Sequence, residues 1–233
     1  IVDATTQAMA PLLPKATGLK GLEPSVGTGN FLSAVPAGSD VNTFEINETT
    51  ARIAKILNPN IEVNVRSFET EFIDDIGNKK PITEQYDIVI GNPPYGSHRG
   101  LYKGLGELPR VARYEDYFVK RSLDVMKDGG VLAMVLPSTW MDRHQRPDGY
   151  KIENAYRLPS GVFEGTQVGT DIAILRKEKG YKADSDHNYF ESNPDKVLGI
   201  EKQRKNRFGK IETYVEGDID NAVSRIKYGE SYN

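Results

Sequence analysis

Apolar residues along the first 177 positions recur at two alternating spacings, which predict strands and helices in turn. Short continuous apolar runs, such as Ile88–Ile90 and Val131–Leu136, predict strands that are buried on both faces. Between such runs, apolar residues at helical spacing, such as Ala51, Ala54 and Leu57, predict helices. The predicted strands are 19–22, 41–46, 61–65, 88–90, 131–136, 153–158 and 171–176, and the predicted helices begin near residues 3, 30, 51 and 114. This order predicts an α/β fold with a doubly wound, mostly parallel seven-stranded sheet and helices on both faces.

The pattern changes after Lys177. Residues 177–187 are charged and lack periodicity, and the remainder has only scattered apolar positions. We therefore predict one domain over residues 1–177 and a small C-terminal appendage, or the start of a further domain, over residues 178–233. The chain opens at Ile1, next to a predicted helix, which suggests a segment of a longer polypeptide.

Composition and charge exclude several classes of protein. The 233 residues are 38% apolar with 22 glycines, as in an ordinary globular chain, and no apolar run approaches the length of a membrane span. The absence of cysteine excludes a disulfide scaffold, a thiolate zinc site and a thiol nucleophile. Three histidines without paired spacing argue against a metal enzyme. Because the net charge is −3, any binding to nucleic acid must use local basic patches.

A glycine-rich segment, Glu23-Pro-Ser-Val-Gly-Thr-Gly29, follows the first predicted strand. Gly27 and Gly29 permit a sharp turn and a close approach to a ligand, and turns at this end of a strand commonly hold small-molecule cofactors. Leu32 stands where a dinucleotide fingerprint needs a third small residue. The carboxylates of Glu23 and Glu45 favour a nucleoside with a cationic amino-acid tail over a nicotinamide dinucleotide. An ordinary turn flanked by two surface acids is the alternative interpretation.

The segment Asn92-Pro93-Pro94-Tyr95 follows the fourth predicted strand directly. Its prolines stiffen the backbone and remove two amide donors, which leaves carbonyl acceptors. An asparagine oxygen and a proline carbonyl can together accept both hydrogens of one exocyclic amino group. The lone pair of an adenine amine is delocalised into the ring, and such acceptors would localise it for attack on an electrophile. Tyr95 offers a face for stacking a base, worth about 1–3 kcal/mol. The alternative is a structural turn with an asparagine cap.

In this order, the motifs Glu-Pro-x-x-Gly-x-Gly-x-Phe and Asn-Pro-Pro-Tyr resemble those of the γ-type N6-adenine DNA methyltransferases, which use S-adenosylmethionine. Three further stretches resemble the methylase segment of very large helicase–methylase polypeptides from phages and conjugative elements. These stretches are 116–118 with 132–138, 157–163 with 170–175, and 189–190 with 197–199. The resemblance implies the fold of the class I S-adenosylmethionine-dependent methyltransferases, with residues 1–177 as the catalytic domain.

The resemblance also implies particular roles for the motif residues. Glu23 and the two glycines would surround the methionine moiety of the cofactor, Glu45 its ribose and Phe68 its adenine. The implied cofactor-binding residues are Glu23, Pro24, Gly27, Gly29, Glu45, Ile46, Phe68 and Asn92. The implied catalytic residues are Asn92, Pro93, Pro94 and Tyr95. The target adenine would stack on Tyr95 and, on its other face, on Phe163, for which a place in the core is the alternative. No metal site is expected.

Two stretches carry local positive charge that could contact DNA. From residue 99 to residue 121 there are six basic residues and three acidic ones, in and after a glycine-containing segment suited to contact with phosphates. The candidate DNA-contacting residues are Arg99, Lys103, Arg110 and Arg113. The run 202–210 carries five basic residues, and a solvated strand connection explains it equally well.

Together the resemblance and the motifs predict methylation of adenine N6 in DNA by a base-flipping enzyme of a restriction-modification system or mobile element. The expected partners are double-stranded DNA and further domains of a longer polypeptide, such as a target-recognition region or a helicase, with no membrane. The expected location is the cytoplasm of a bacterium, with the gene in the bacterium, a phage or a mobile element. Two alternatives stay open: a methyltransferase that acts on a glutamine amide of release factors, and an inactive methyltransferase-like binding module.

Overall fold

The computed structural model describes residues 2–97, 111–161, 169–184 and 188–228 of the chain. Within these ranges the predicted sheet is confirmed: seven strands lie in the order β3-β2-β1-β4-β5-β7-β6, and β7 runs antiparallel to both of its neighbours. The strands are β1 (Lys20–Glu23), β2 (Asp40–Phe44), β3 (Glu62–Asn64), β4 (Tyr86–Gly91), β5 (Met126–Pro137), β6 (Asp148–Arg157) and β7 (Thr170–Lys182).

Helices and a second, smaller sheet surround this one. Strands β8 (Ile200–Lys205) and β9 (Ile211–Glu216) form an antiparallel hairpin of their own. The helices are α1 (Val2–Met9), α2 (Glu48–Leu57), α3 (Tyr114–Val125), α4 (Ser138–Arg143), α5 (Tyr189–Ser192) and α6 (Ile219–Tyr228). Helix α2 begins where Asn47 Oδ1 accepts a hydrogen bond from the Thr50 amide at 2.9 Å, as expected of an asparagine N-cap.

The central strands are buried on both faces because apolar side chains point to both sides of the sheet. In β5, Leu132, Met134 and Leu136 pack on one face, beside side chains of α3 and α4. The alternate residues, Val131, Ala133 and Val135, pack on the other face, beside side chains of α1 and α6. This two-residue period explains why the strands could be predicted from unbroken apolar runs.

One predicted helix is wrong. The helix expected to begin near Asn30 is a single 3₁₀ turn, Leu32–Ala34. Pro36 follows two residues later and lacks the amide hydrogen that a longer helix would need, and Gly38 then turns the chain at φ +76°. The second sheet strand is therefore reached through a short loop.

The segment after Lys177 packs against the sheet domain. Strand β7 continues to Lys182, so the predicted division at residue 177 lies inside a strand. Ala222 and Ile226 of α6 are buried in the same apolar cluster as Ala8 and Met9 of α1. The division into a catalytic domain and an appendage stays a prediction.

The described ranges contain no candidate membrane-spanning helix and no candidate metal site. None of the helices there combines the length and the apolar character that crossing a membrane requires. The same ranges contain no group of three or more histidine, aspartate or glutamate side chains arranged to hold a metal ion.

Candidate active site

The glycine turn and the Asn92 segment meet at one edge of the sheet. Strands β1 and β4 are parallel neighbours, with Leu22 opposite Val89, so Glu23 and Asn92 follow at the same edge. Glu23 packs closely against Gly91, since a Cβ added at Gly91 would lie 2.5 Å from Glu23 Oε1. The residue that precedes Asn92 is therefore a glycine that leaves room for the Glu23 carboxylate.

The glycine turn depends on backbone angles that L side chains rarely adopt. Gly27 has φ +55° and Gly29 has φ +90°. The Val26 amide donates to the Phe44 carbonyl at 2.9 Å, which ties the turn to the end of β2. A Cβ added at Gly27 would meet no atom within 4 Å, so open space lies beside this residue, whereas a Cβ added at Gly29 would lie 2.6 Å from Asn58 Nδ2. A carboxylate and an open glycine turn fit a ligand that carries an ammonium or sulfonium group.

Burial dominates the electrostatics of Glu23. The side chain is 1% exposed and accepts a hydrogen bond from the Ser25 amide at 2.9 Å. Loss of hydration raises the pKa of Glu23 to about 8, the Ser25 amide opposes this, and the nearby Glu45 charge adds to it. A cationic ligand beside Glu23 would favour the ionised carboxylate, so Glu23 would lose its proton near neutral pH when such a ligand binds.

The raised pKa of Glu23 predicts that the free energy of unfolding falls as pH rises, and that Glu23→Gln removes this fall. Since the folded pKa lies above the unfolded value of 4.5, the contribution of Glu23 to stability is fully present below pH 4.5 and is lost as pH rises through 8. The loss can reach about 1.4 kcal/mol per pH unit. Urea unfolding between pH 5 and 9 measures the free energy of unfolding of each protein. As pH rises, the wild type should become less stable than Glu23→Gln. The exposed-site control Glu178→Gln should keep the same stability difference from the wild type at every pH. Parallel curves for the wild type and Glu23→Gln would contradict the assignment.

In the Asn92 segment, Tyr95 fixes the asparagine side chain. The Tyr95 hydroxyl lies 2.9 Å from Asn92 Oδ1 and 2.9 Å from the Val135 carbonyl oxygen, two acceptors between which its single proton is shared. Pro93 is buried and Pro94 is exposed. Burial raises the pKa of Tyr95, with Glu115 and Asp171 adding to the shift, so the phenol stays protonated. The amide oxygen keeps a second lone pair for another donor.

Sequence reasoning missed Glu115, a buried carboxylate that holds the end of this segment. Glu115 Oε2 accepts a hydrogen bond from the Gly96 amide at 2.9 Å, while Oε1 pairs with Arg113 Nε at 2.5 Å and lies 3.7 Å from Arg143 Nη2. The Tyr114 amide also donates to the Gly96 carbonyl at 2.8 Å. Two residues at the start of α3 therefore hold Gly96, the residue that follows Tyr95, through hydrogen bonds. An acidic residue in the first turn of a predicted helix was the available signal.

A second missed cluster lies where β5, β6 and β7 meet the same edge. Arg157 forms two hydrogen bonds with the buried Asp171, Nε to Oδ1 at 3.0 Å and Nη2 to Oδ2 at 3.1 Å. Arg157 Nη2 also contacts Asp142 at 2.9 Å, and the Ser138 hydroxyl donates to Asp171 at 3.0 Å. Burial raises the pKa of Asp171 to about 6 against the opposing effect of Arg157, so the carboxylate is ionised at neutral pH.

Other predicted cofactor residues surround the glycine turn in different environments. Pro24 is buried, Glu45 is half-buried and accepts a hydrogen bond from the Asn47 amide at 2.8 Å, and Ile46 is 69% exposed. Phe68 is 2% exposed, and its ring centroid lies 5.4 Å from that of Phe44, inside an aromatic cluster. Their roles toward a cofactor stay predictions.

Phe163, Arg99, Lys103 and Arg110 lie outside the described residues. Arg113 is described, and its guanidinium is held by Glu115.

Comparison with a solved structure identifies the fold of this chain. A protein from Listeria monocytogenes, described as a class I S-adenosylmethionine-dependent methyltransferase, superimposes with a TM-score of 0.58 at 18% identity, over 79% of this chain and 61% of that one. The fold is that of the class I S-adenosylmethionine-dependent methyltransferases.

The particular family follows from the sequence. The model of the Eco57I restriction-modification methylase family matches residues 31–163, which is more than half of the chain. The chain belongs to this family, as the motifs predicted. Family and fold imply S-adenosylmethionine as the cofactor, and the Glu23 carboxylate beside the open glycine turn fits its cationic groups.

Two curated relatives are much longer than this chain. "Defense against restriction protein B" of Escherichia phage P1 is 30% identical over 237 residues, a match that covers 88% of this chain and 10% of that protein. "Type II methyltransferase M.CvrRI" of Paramecium bursaria Chlorella virus XZ-6E is 29% identical over 171 residues, covering 67% of this chain and 42% of that protein. The chain thus spans a tenth of one relative and less than half of the other.

Proposed function

We propose that this chain transfers a methyl group from S-adenosylmethionine to the exocyclic N6 of an adenine that has rotated out of duplex DNA. One observation carries the proposal: the Glu23 carboxylate at the glycine turn packs against Gly91, next to the asparagine of Asn92-Pro93-Pro94-Tyr95. A cation-binding turn and a pair of amine acceptors are therefore neighbours at one sheet edge. That is the arrangement a methyl transfer to an amine requires.

The Asn92 segment can hold an exocyclic amine. Asn92 Oδ1 has one lone pair directed to the Tyr95 hydroxyl and a second available for a substrate N–H. The Pro93 carbonyl is the second acceptor in the proposal, and the proline rings keep its orientation fixed. Two accepted hydrogen bonds localise the nitrogen lone pair, which makes the amine nucleophilic without a strong base. The proton can leave after transfer.

The glycine turn serves the other reactant. When bound, S-adenosylmethionine supplies an electrophilic methyl group. Glu23 would ionise beside the cationic amino-acid tail, and Gly27, which has open space beside it, would let the backbone approach the ligand closely. The chain thus contributes orientation and electrostatic stabilisation.

Base flipping is part of the proposal because a stacked adenine cannot present N6 to a methyl donor. Extrusion of a base costs a few kcal/mol. Stacking on Tyr95 and the two hydrogen bonds of the Asn92 segment would offset that cost. Phe163 is the proposed second stacking residue.

The family supports DNA as the substrate over a protein glutamine. Its members are restriction-modification methylases, and the curated relative from the chlorella virus is named as a type II methyltransferase. Because the chain spans a tenth of the phage P1 relative, we also propose that it acts as the methylase segment of a longer polypeptide. A separate region would then select the target sequence.

The test uses tritiated S-adenosylmethionine with three acceptors in parallel: unmethylated duplex DNA, the same DNA methylated beforehand at adenine N6, and a release factor. We expect label in the first substrate and little label in the other two. Label in the release factor alone would identify the glutamine methyltransferase alternative. Cofactor binding with no transfer to any acceptor would identify an inactive binding module.

A further inference from the structure

The β8–β9 hairpin exposes a cationic tip, which we define as residues 205–210. All six residues of β8 are exposed, and Phe208 in the tip is 72% exposed. The hairpin is anchored at its base, where the Ser160 amide donates to the Val215 carbonyl at 2.9 Å and the Val215 amide donates to Ser160 Oγ at 2.9 Å. One end is thus fixed to the domain while the other reaches into solvent.

Positive charge concentrates at the tip because the two cations in the body of the hairpin are paired with acids. In the body, Lys202 pairs with Glu216, and Arg204 Nε lies 2.8 Å from Glu212 Oε1. The three cations of the tip form no ion pair within the described part of the chain. These cations are Lys205, Arg207 and Lys210.

The tip is also locally ordered. Asn206 Oδ1 accepts hydrogen bonds from the Phe208 amide at 2.9 Å and the Lys210 amide at 3.0 Å, and the Asn206 amide donates to the Lys210 carbonyl at 2.8 Å. Gly209 closes the turn with φ +73°. The Arg207 guanidinium lies 4.7 Å from the centroid of the Phe208 ring. The ordered turn fixes the backbone positions from which the three cations project, which reduces the entropy lost when they bind.

A groove of about 990 Å³ joins the hairpin to the catalytic edge. One wall contains Ser138 and Thr139, which directly follow β5, and the other contains Arg204, Arg207 and Phe208. Strand β5 is the parallel neighbour of β4, whose end carries the Asn92 segment. Of the three acids that line the groove, Asp142 and Glu212 are paired with Arg157 and Arg204 respectively, and the third, Glu201, is an exposed residue of β8. The groove therefore lies between the hairpin cations Arg204 and Arg207 and the sheet edge that also carries the Asn92 segment.

We infer that the hairpin tip binds the phosphate backbone of the substrate duplex while the target adenine occupies the site at Asn92. This inference rests on the proposed function and names the surface that holds the substrate. Duplex DNA is the occupant because it carries one negative charge per about 1.7 Å of its axis, which complements a cluster of exposed cations. Phosphate contacts of this kind fix the position of the duplex and carry no sequence information.

Two matched triple variants test the inference. The tip variant is Lys205→Gln, Arg207→Gln and Lys210→Gln, and the control variant is Lys15→Gln, Lys79→Gln and Lys151→Gln. All three control lysines are exposed, lie outside the groove and give the same change in net charge. Binding to a labelled 30-base-pair duplex is measured by fluorescence anisotropy over a range of salt concentrations. S-adenosylmethionine titration and the unfolding midpoint check that both variants are folded.

We expect the tip variant to bind DNA about 10- to 100-fold more weakly than the wild type at ~0.1 M salt. The slope of log K against log salt should become shallower by about 2 to 3, one for each lost phosphate contact. The control variant should lose much less affinity and keep the wild-type slope. Equal losses in the two variants, or no loss in the tip variant, would overturn the inference.

Lysine footprinting on the wild-type chain gives an independent measurement that needs no variant. Acetylation followed by mass spectrometry should show Lys205 and Lys210 protected when duplex DNA is present, with Lys15 and Lys151 unchanged. Unprotected tip lysines on a chain that binds DNA would refute the inference while leaving the methyltransferase proposal intact. Protected tip lysines with no methyl transfer would support the surface and contradict the proposed reaction.

Discussion

Replacing Asn92 by alanine will lower the rate of methyl transfer to DNA by about 10²–10³-fold while S-adenosylmethionine still binds. The effect should be this large because the amide oxygen is the proposed acceptor that localises the lone pair of the adenine amine, and removal of one such polar group from an enzyme site typically costs this much in kcat. Single-turnover transfer of a tritiated methyl group measures the rate, and calorimetric titration measures cofactor affinity.

Asn60→Ala is the matched control, since Asn60 is an exposed asparagine in the turn before β3, away from the catalytic edge. The control should keep the wild-type rate and affinity. A rate of methyl transfer in Asn92→Ala equal to that of the wild type would contradict the proposed mechanism. Loss of cofactor binding in that variant would show that Asn92 acts mainly through the cofactor.

Replacing Arg157 by leucine will destabilise the fold by about 3–5 kcal/mol at pH 8, because it leaves the Asp171 carboxylate buried without its cation. Asp171 is fully buried, and the Arg157 side chain is 13% exposed. The cost should be smaller at pH 5, where Asp171, whose pKa burial already raises to about 6, can take up a proton. Urea unfolding at the two pH values measures both effects.

The contrast is Arg52→Leu, which breaks the exposed pair between Arg52 and Glu48 on α2. Such surface pairs contribute under about 1 kcal/mol. A loss of stability in Arg157→Leu as small as in Arg52→Leu would show that Asp171 is hydrated or protonated in the native state. An equal loss at pH 5 and pH 8 would show that lost packing of the arginine side chain dominates.

The sheet could be predicted from the sequence because burial on both faces leaves an unbroken apolar signal, as at Val131–Leu136 in β5. The glycine turn and the Asn92 segment could be predicted because each is a local motif whose chemistry depends on adjacent residues. The helix near Asn30 was wrong because proline and glycine at 36 and 38 outweighed the apolar spacing.

Buried charges could not be predicted in the same way. Arg157 bonds to Asp171 across 14 residues, and Glu115 bonds to Gly96 across 19 residues. A charged residue in a sequence is by default a surface residue, and only a partner distant along the chain makes its burial tolerable. The β8–β9 hairpin also could not be predicted, because its exposed strands lack a clear alternation of apolar and polar residues.

The central claim is that the Asn92 segment directs an exocyclic adenine amine toward the cofactor at the glycine turn. The most direct measurement is digestion of DNA treated with the protein and S-adenosylmethionine, followed by mass spectrometry of the nucleosides. We predict N6-methyldeoxyadenosine as the product, at amounts that fall to background with Asn92→Ala. A methylated cytosine, or methylated adenine in undiminished amount with Asn92→Ala, would contradict the account.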